Sequence, residues 1–472
     1  MTPPKRTQED RPIAALLAPD LLVLLESSPA SVAVETEEMH PRDLAAVVEA
    51  IPEDRVAALL GALPADRAAQ VLEYLDEELR TEVLEAMSVP TAALLLVEMN
   101  PDDRADVLDD LTDEAAEGIL QAIPPEERLI TERLLSYDPD SAGGLMTTDF
   151  VSVAHTVTVD EALRHVRLLA REGRQESMYV IYVTDADGRL SGVMSLRELL
   201  AAPEGAHMAD IAWEEVVSVP ATVDRSEVAQ ITSEYDLIAV PVVDEDRRLL
   251  GVVTVDDVID AIEEEQTEDV QKMGGMEALD EPYTTIGFWQ MIRKRAGWLA
   301  ALFIGEMFTA TAMGRFAGEI EQAVVLALFV PLIISSGGNS GSQATSLIIR
   351  AMAVREVTLA DWWRVAMREL PAGLTLGVIL GLIGIIRILL WEAMGFTGYG
   401  EHYNLVALVV GISLVGVVTF GSLTGSMLPF LLRRLGFDPA SASAPFVATL
   451  VDVTGIVIYF SVAAVLLRGV LL

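Results

Sequence analysis

The chain has 472 residues, room for about three domains, and carries 72 acidic against 32 basic side chains, a formal net charge of −40. That balance argues against nucleic acid, because phosphate binding relies on clustered Lys and Arg, and it favours cationic partners. Cysteine is absent and the five histidines show no metal-ligand spacing. Disulfides, thiolate zinc, iron–sulfur centres and a Cys nucleophile therefore drop out, and hard oxygen ligands remain.

The charge is divided unevenly. Residues 1–285 hold 20 basic and 62 acidic side chains, whereas residues 286–472 hold 12 and 10. An acidic, water-soluble part suited to cations is thus joined to an apolar, nearly neutral part suited to a bilayer. Residues 1–35 read as an N-terminal tail. The first twenty include Lys5, Arg6 and Arg11 but no long apolar stretch or cleavage site of a signal peptide, which places the acidic part in the cytosol.

Over residues 36–145 a short pattern recurs: Pro52-Glu-Asp-Arg55, Pro64-Ala-Asp-Arg67, Pro101-Asp-Asp-Arg104 and Pro125-Glu-Glu-Arg128. Proline at the first helical position with acids in the first turn is a helix-start signal. A spacing near 12 residues predicts short stacked helices, a small α-helical solenoid whose repeats share one core.

Residues 146–262 change period and contain a longer α/β unit twice, over 146–203 and 208–262. Each copy reads as strand, acidic turn, strand, helix, with Gly192-Val-Met-Ser195-Leu-Arg-Glu198 in the first and Gly251-Val-Val-Thr254-Val-Asp-Asp257 in the second. This tandem resembles a CBS-domain pair. The resemblance implies metal ions or an adenosyl nucleotide such as ATP in the cleft, with a nucleotide's ribose held by Thr254 and Asp257 or by Ser195 and Glu198.

An acidic connecting helix and linker follow over residues 263–290. Asp257, Asp260, Glu264 and Glu268 recur at helical spacing, and like charges so placed cost about 0.2–0.5 kcal/mol per pair. Either a bound cation neutralises that row or it is a solvated face.

Residues 291–472 read as an all-α membrane domain of five helices, near Ala296–Arg315, Ile320–Ile349, Pro371–Met394, Tyr403–Leu432 and Ala440–Leu467. Arg293, Lys294 and Arg295, then Arg350, Arg355, Arg364 and Arg368, then Arg433 and Arg434 mark one side, so the C-terminus is expected outside. Arg387 reads as snorkelling or as paired with Glu392.

Polar exceptions within the spans point to function. Asp452 is the sole charged residue between Pro439 and Leu467, and a carboxylate at membrane depth costs about 2.5–3.5 kcal/mol. The second span is interrupted by Pro331 and by Ser335-Ser-Gly-Gly-Asn-Ser-Gly-Ser-Gln343, where Asn339 can present oxygen to a cavity or the glycines can pack helices. At about 1.5 Å per residue, Glu306 lies about 16 Å from Arg295, Asn339 about 16 Å from Arg350 and Asp452 about 10 Å from Pro445, comparable depths. Oxygen ligands select Mg²⁺, Ca²⁺ or Mn²⁺ as the ion carried. A channel and a carrier coupled to Na⁺ or H⁺ both fit, and no nucleophile–base constellation suggests an enzyme.

The order of modules, together with Tyr137-Asp-Pro-Asp-Ser-Ala-Gly-Gly-Leu-Met146, Gly337-Gly-Asn-Ser-Gly341 and Asp452, resembles the MgtE family of magnesium channels. That resemblance implies a homodimer with a Mg²⁺-selective pore on its axis, embedded in lipid and closed when cytosolic Mg²⁺ is high. It assigns Asp452, with backbone near Ala448, to hydrated Mg²⁺ in the pore. It assigns the cytosolic sensor to Asp102, Asp106, Asp224, Asp236, Asp257, Asp260, Glu265, Glu268 and Asp269, with Ser226 standing where a further acid is expected.

Overall fold

The structure is a computed structural model that describes residues 12–172, 177–279, 283–284, 286–396 and 399–468. Lys5, Arg6, Arg11 and part of the predicted linker lie outside the described residues. The chain forms two compact units, residues 1–265 and 266–472.

The first unit opens with α1 (Pro12–Ser27) and α2 (Pro29–Glu35). Ala14, Ala18, Leu21, Leu25 and Val32 are buried in the same core as the helices that follow, so much of the predicted tail is part of the helical domain. Then come α3 (Pro41–Val48), α4 (Glu53–Leu60), α5 (Ala65–Glu73), α6 (Glu77–Ala86), α7 (Val89–Val97), α8 (Pro101–Asp109), α9 (Asp113–Ala122) and α10 (Pro125–Leu134), each starting twelve residues after the last. Acids occupy the first turn of most of them, where the helix dipole favours negative charge. Each is too short to be stable alone and is held by one buried face of Ala, Val and Leu.

Two similar α/β halves follow. The first holds β1 (Phe150–Ala154), α11 (Val159–Glu172), β2 (Ser177–Thr184), β3 (Leu190–Ser195), α12 (Leu196–Ala201) and α13 (Met208–Ile211); the second holds β4 (Val219–Pro220), α14 (Arg225–Tyr235), β5 (Ala239–Val243) and β6 (Leu249–Thr254). In both sheets the first and second strands are parallel and the second and third antiparallel. The glycine of each repeated motif is steric in origin. A Cβ at Gly251 would stand 2.7 Å from the Thr147 carbonyl oxygen, and one at Gly192 would stand 2.9 Å from Ala212 Cβ. Ala105 of α8 and Leu134 of α10 join Val228, Val240, Val253 and Val258 in the core of the second half, which docks the helical domain there. The connecting helix α15 (Val255–Met273) begins directly after β6 and takes in the whole acidic row from Asp257 to Glu268.

The second unit contains α16 (Phe288–Arg315), α17 (Ala317–Gln322), α18 (Val330–Ala353), α19 (Trp362–Ala393), α20 (Tyr403–Arg434) and α21 (Ala444–Leu466). Among the described residues, five helical segments are long and apolar enough to cross a membrane: Phe288–Arg315, Val324–Ala353, Leu359–Ala393, Tyr403–Arg434 and Ala444–Leu466. The expected break at Gly337–Gly341 does not occur, because α18 runs continuously through it. Pro331 sits in the first turn, where a missing N–H costs nothing. The glycines serve close packing instead. A Cβ at Gly341 would stand 2.7 Å from Val447 Cγ1, and one at Gly377 2.7 Å from Val415 Cα. Ser340 and Ser422 share a 2.7 Å hydrogen bond between α18 and α20, and Thr345 Oγ1 donates to the Gly425 carbonyl at 2.9 Å. Arg387 bonds the Tyr399 hydroxyl and lies over the Trp391 ring, while Glu392 accepts from the Tyr399 backbone N–H, so the expected Arg387–Glu392 pairing is replaced by two separate contacts.

Candidate functional site

Within the membrane unit the predicted polar positions lie on helices that touch. Gly338 of α18 faces α21 so closely that a Cβ there would lie 3.5 Å from Ala448 Cβ, and Asn339, the next residue of α18, is exposed. Asp452 follows Ala448 by four residues and therefore shares its face of α21. Across from them, a Cβ at Gly305 of α16 would stand 2.8 Å from Thr449 Cγ2, and the adjacent Glu306 carboxyl interacts with that of Asp452. The sequence placed Glu306 at matching depth, and the fold makes it a direct neighbour. α21 is anchored by Val447 and Val451 on the flank beside the acid and by Ile456 and Tyr459 further along the Asp452 row, all buried, with the Tyr459 hydroxyl donating to the Leu326 carbonyl at 2.9 Å.

In the first unit, α8 and the start of α15 bring acids together. Asp102 is buried at 5% exposure, whereas Asp106, one turn on, is exposed. Asp103 feels the charges of Asp256 and Asp260. Loss of surrounding water, then the charges of Asp103 and Asp110, push Asp106 up to about 7, and its exposure keeps it titratable. Asp260 is raised for the same reasons, burial first and then Glu263, Glu264 and Asp256. Asp103, Asp256 and Glu264 thereby join the cluster. Only the fold shows this, because the α8 and α15 acids are about 150 residues apart in the chain.

One cation is already present in this unit. Arg225, buried at 9% exposure, reaches Asp140 at 2.9 Å and Glu264 at 2.8 Å, with Glu265 at 3.7 Å. It pins the connecting helix to the start of α14 and satisfies carboxylates that would otherwise repel. Asp224 and Asp236 cap opposite ends of α14, so they lie about 18 Å apart and cannot share an ion within one chain. Ser226 donates its backbone N–H and its hydroxyl to Asp224, so the serine supports an existing acid. Thr254 donates its hydroxyl to Asp257, and Ser195 and Glu198 form a reciprocal capping box at the equivalent corner of the first half.

In the second unit, Lys272 at the end of α15 bonds Glu268 at 2.8 Å and Asp438 at 3.0 Å. Burial works against its ammonium, but those two bonds more than offset it and the pKa is raised. Asp269 is pushed up by burial and by Asp438. Asp438 in turn caps the short helix before α21, and Gly275, at φ 76°, packs on Trp298 and Pro445. The end of the connecting helix therefore rests on the loop that leads into the Asp452 helix. Among the described residues no three His, Asp or Glu side chains converge as a ready metal cage.

Residues 330–462 match the divalent cation transporter domain of the MgtE family, residues 39–140 its intracellular N domain, and residues 142–205 and 208–264 the CBS domain. A magnesium transporter MgtE of Thermus thermophilus is 42% identical over 372 residues, which cover 78% of this chain and 80% of that protein. The chain belongs to the MgtE family. A further MgtE magnesium transporter, from Enterococcus faecalis, is 35% identical over 73% of both chains. The crystal structure of the soluble part of a magnesium transporter superposes with a TM-score of 0.51 at 32% identity, covering 53% of this chain and 99% of that one. An MgtE architecture accounts for the helical domain, the CBS pair and the five candidate spans together.

Proposed function

We propose that the chain is a Mg²⁺-selective channel that brings magnesium across the cell membrane as a homodimer and is closed by cytosolic Mg²⁺. The observation that carries the pore assignment is the facing pair Asp452 and Glu306, with Ala448 on the Asp452 face of α21 and Asn339 on the helix that touches it. Mg²⁺ gives up water reluctantly and is typically held by one or two carboxylates through retained waters, which suits so small a ligand set. Asp452 supplies charge, Asn339 and the backbone near Ala448 supply neutral oxygen. The N-terminal domains lie in the cytosol and the C-terminus outside, following the basic residues.

The sensor comprises Asp102, Asp106, Asp224, Asp236, Asp257, Asp260, Glu265, Glu268 and Asp269, which bind Mg²⁺ weakly at several places. The raised carboxyls of Asp106 and Asp260 support this, since they mark acids crowded by other acids. Without Mg²⁺ the acidic faces repel and loosen; with Mg²⁺ they draw together and the connecting helix closes the path. Whatever closes the pore must also raise the sensor's apparent affinity for Mg²⁺. The paired Thr254 and Asp257 offer a donor and acceptors suited to a ribose diol, so ATP would bind the second CBS half there.

The decisive experiment is Mg²⁺ flux through the reconstituted chain while Mg²⁺ on the cytosolic side is varied. Flux that falls as that concentration rises supports both pore and sensor; flux of no divalent ion overturns the reading. A second reading, a proton-coupled carrier, is favoured by the two facing carboxyls. Resolvable unitary currents would reject it, because alternating access is too slow to produce them.

Two further results are expected. Mg²⁺ binding should release protons near neutral pH, seen as a heat that changes with buffer ionisation enthalpy. The sign follows from Asp106: an acid raised to about 7 is partly protonated there, so Mg²⁺ displaces its proton. By the same linkage, Mg²⁺-free docking of α8 strengthens as pH falls from about 7 towards 4. Arg225→Gln should lower Mg²⁺-free stability by about 2 kcal/mol, the worth of a charged hydrogen bond, and widen the stabilisation given by Mg²⁺. Thermal unfolding with and without the ion checks this, and an unchanged difference would show that Arg225 does not hold the acidic cluster together.

A further inference from the structure

The start of α19 carries a cluster that conduction and sensing do not use. Thr358 and Asp361 cap the turn into the helix, and Trp362 and Trp363 follow, 50% and 59% exposed, their rings edge to face at 5.5 Å. The Arg364 side chain is 84% exposed, with one ion pair to Asp361 at 2.9 Å. Arg368, one turn on, is also exposed and forms no ion pair among the described residues. Ala360, Asp361, Trp363, Arg364, Met367 and Arg368 line an open trough of about 590 Å³. Two guanidinium groups at i and i+4 repel in the absence of an anion. Asp361 cancels one charge, which leaves the residues lining the trough one positive charge in excess; Glu369, next in the chain, acts on Arg368 from outside that lining.

We infer that this trough holds the headgroup of an anionic phospholipid, with its phosphate between the Arg364 and Arg368 guanidinium groups. A monoanionic phosphodiester matches the excess charge, and the planar fork of arginine suits phosphate oxygens. Paired tryptophans belong at the headgroup level of a bilayer. A free phosphate would use the arginines alone, but the trough continues into an apolar stripe. Trp363, Met367, Leu370 and Leu374 recur at i, i+4, i+7 and i+11 and are 59%, 52%, 38% and 44% exposed. That stripe gives acyl chains a path along the same helix face. The inference goes beyond the transport reading and requires only that α19 spans the membrane.

The test uses the full chain in vesicles of phosphatidylcholine and phosphatidylglycerol in equal parts, with lipid retained after a detergent wash counted by mass spectrometry. The wild-type chain should retain phosphatidylglycerol over phosphatidylcholine. Arg368→Gln should reduce that enrichment about fivefold, the effect of one basic residue at an anionic surface, and the double variant with Arg364→Gln should reduce it further. Arg368→Lys should keep most of it. Mg²⁺ flux measured in the same vesicles should persist in Arg368→Gln, and since Arg368 makes no ion pair to lose, this single variant carries the test on a folded protein. Enrichment unchanged in the double variant overturns the inference. So does displacement of phosphatidylglycerol from the wild-type chain by inorganic phosphate, which would mark a soluble-anion site.

Discussion

Asp452→Ala is expected to reduce Mg²⁺ flux about a hundredfold while leaving the fold intact. A dication about 5 Å from a carboxylate, roughly the distance across one retained water, gains about 3 kcal/mol at an effective dielectric constant near 40, between protein-surface and bulk values. Loss of that gain corresponds to about two powers of ten. The fold should survive, because α21 is anchored by the buried Val447, Val451, Ile456 and Tyr459 and Asp452 is only half-buried. Asp452→Asn separates charge from shape and should be nearly as severe. Glu306→Gln should cost less, since Glu306 is exposed and supports the pair from the neighbouring helix. Flux of radioactive or dye-reported Mg²⁺ into vesicles measures all three, and normal uptake by Asp452→Ala would remove the pore assignment.

How much of this was legible in the sequence depends on how local the signal was. The twelve-residue step of the helical domain and the doubled β–acid turn–β–helix unit are local patterns, and both appear in the fold with that periodicity. Asp452 stands out in the sequence because a lone carboxylate in an apolar run is costly in a bilayer, whereas its interaction with Glu306 appears only in the fold. The glycine run at 337–341 was misread as a break for the opposite reason. Glycine weakens a helix in isolation, but against Val417, Val447 and Gly421 it permits backbone approach that a larger side chain would block, and packing overrides propensity. Residues 12–35 lack the proline–acid–arginine signature yet bury an apolar face, so only the tertiary core reveals them as helices. Arg225 and Asp103 were invisible for want of contact information. Their roles exist only once α8, α14 and α15 are brought together.

Neutralising Asp257, Glu265 and Glu268 together, as Asn, Gln and Gln, is expected to leave the channel conducting at cytosolic Mg²⁺ that closes the wild-type chain. Two effects oppose each other. Removing the acids relieves helix repulsion, about 0.2–0.5 kcal/mol per like-charged pair, which on its own favours the closed arrangement without any ion. It also removes ligands through which Mg²⁺ would bridge the acidic faces, and each ion held even a hundredfold more tightly in the closed state contributes about 2.7 kcal/mol to closure. Bridging outweighs repulsion, so loss of the ligands dominates and the half-blocking Mg²⁺ concentration should rise about tenfold or more. The anchor at the end of α15 separates sensing from coupling. Lys272 keeps its 3.0 Å bond to Asp438 when Glu268 is neutral, so the helix end stays attached to the loop before α21. Lys272→Met removes that attachment and leaves the three acids in place. It should therefore weaken closure without abolishing Mg²⁺ binding, read as block of flux against calorimetric binding in the same preparation. Unchanged block in the triple variant would remove these acids from the sensor, and a chain closed even without Mg²⁺ would show that repulsion, not bridging, sets the gate.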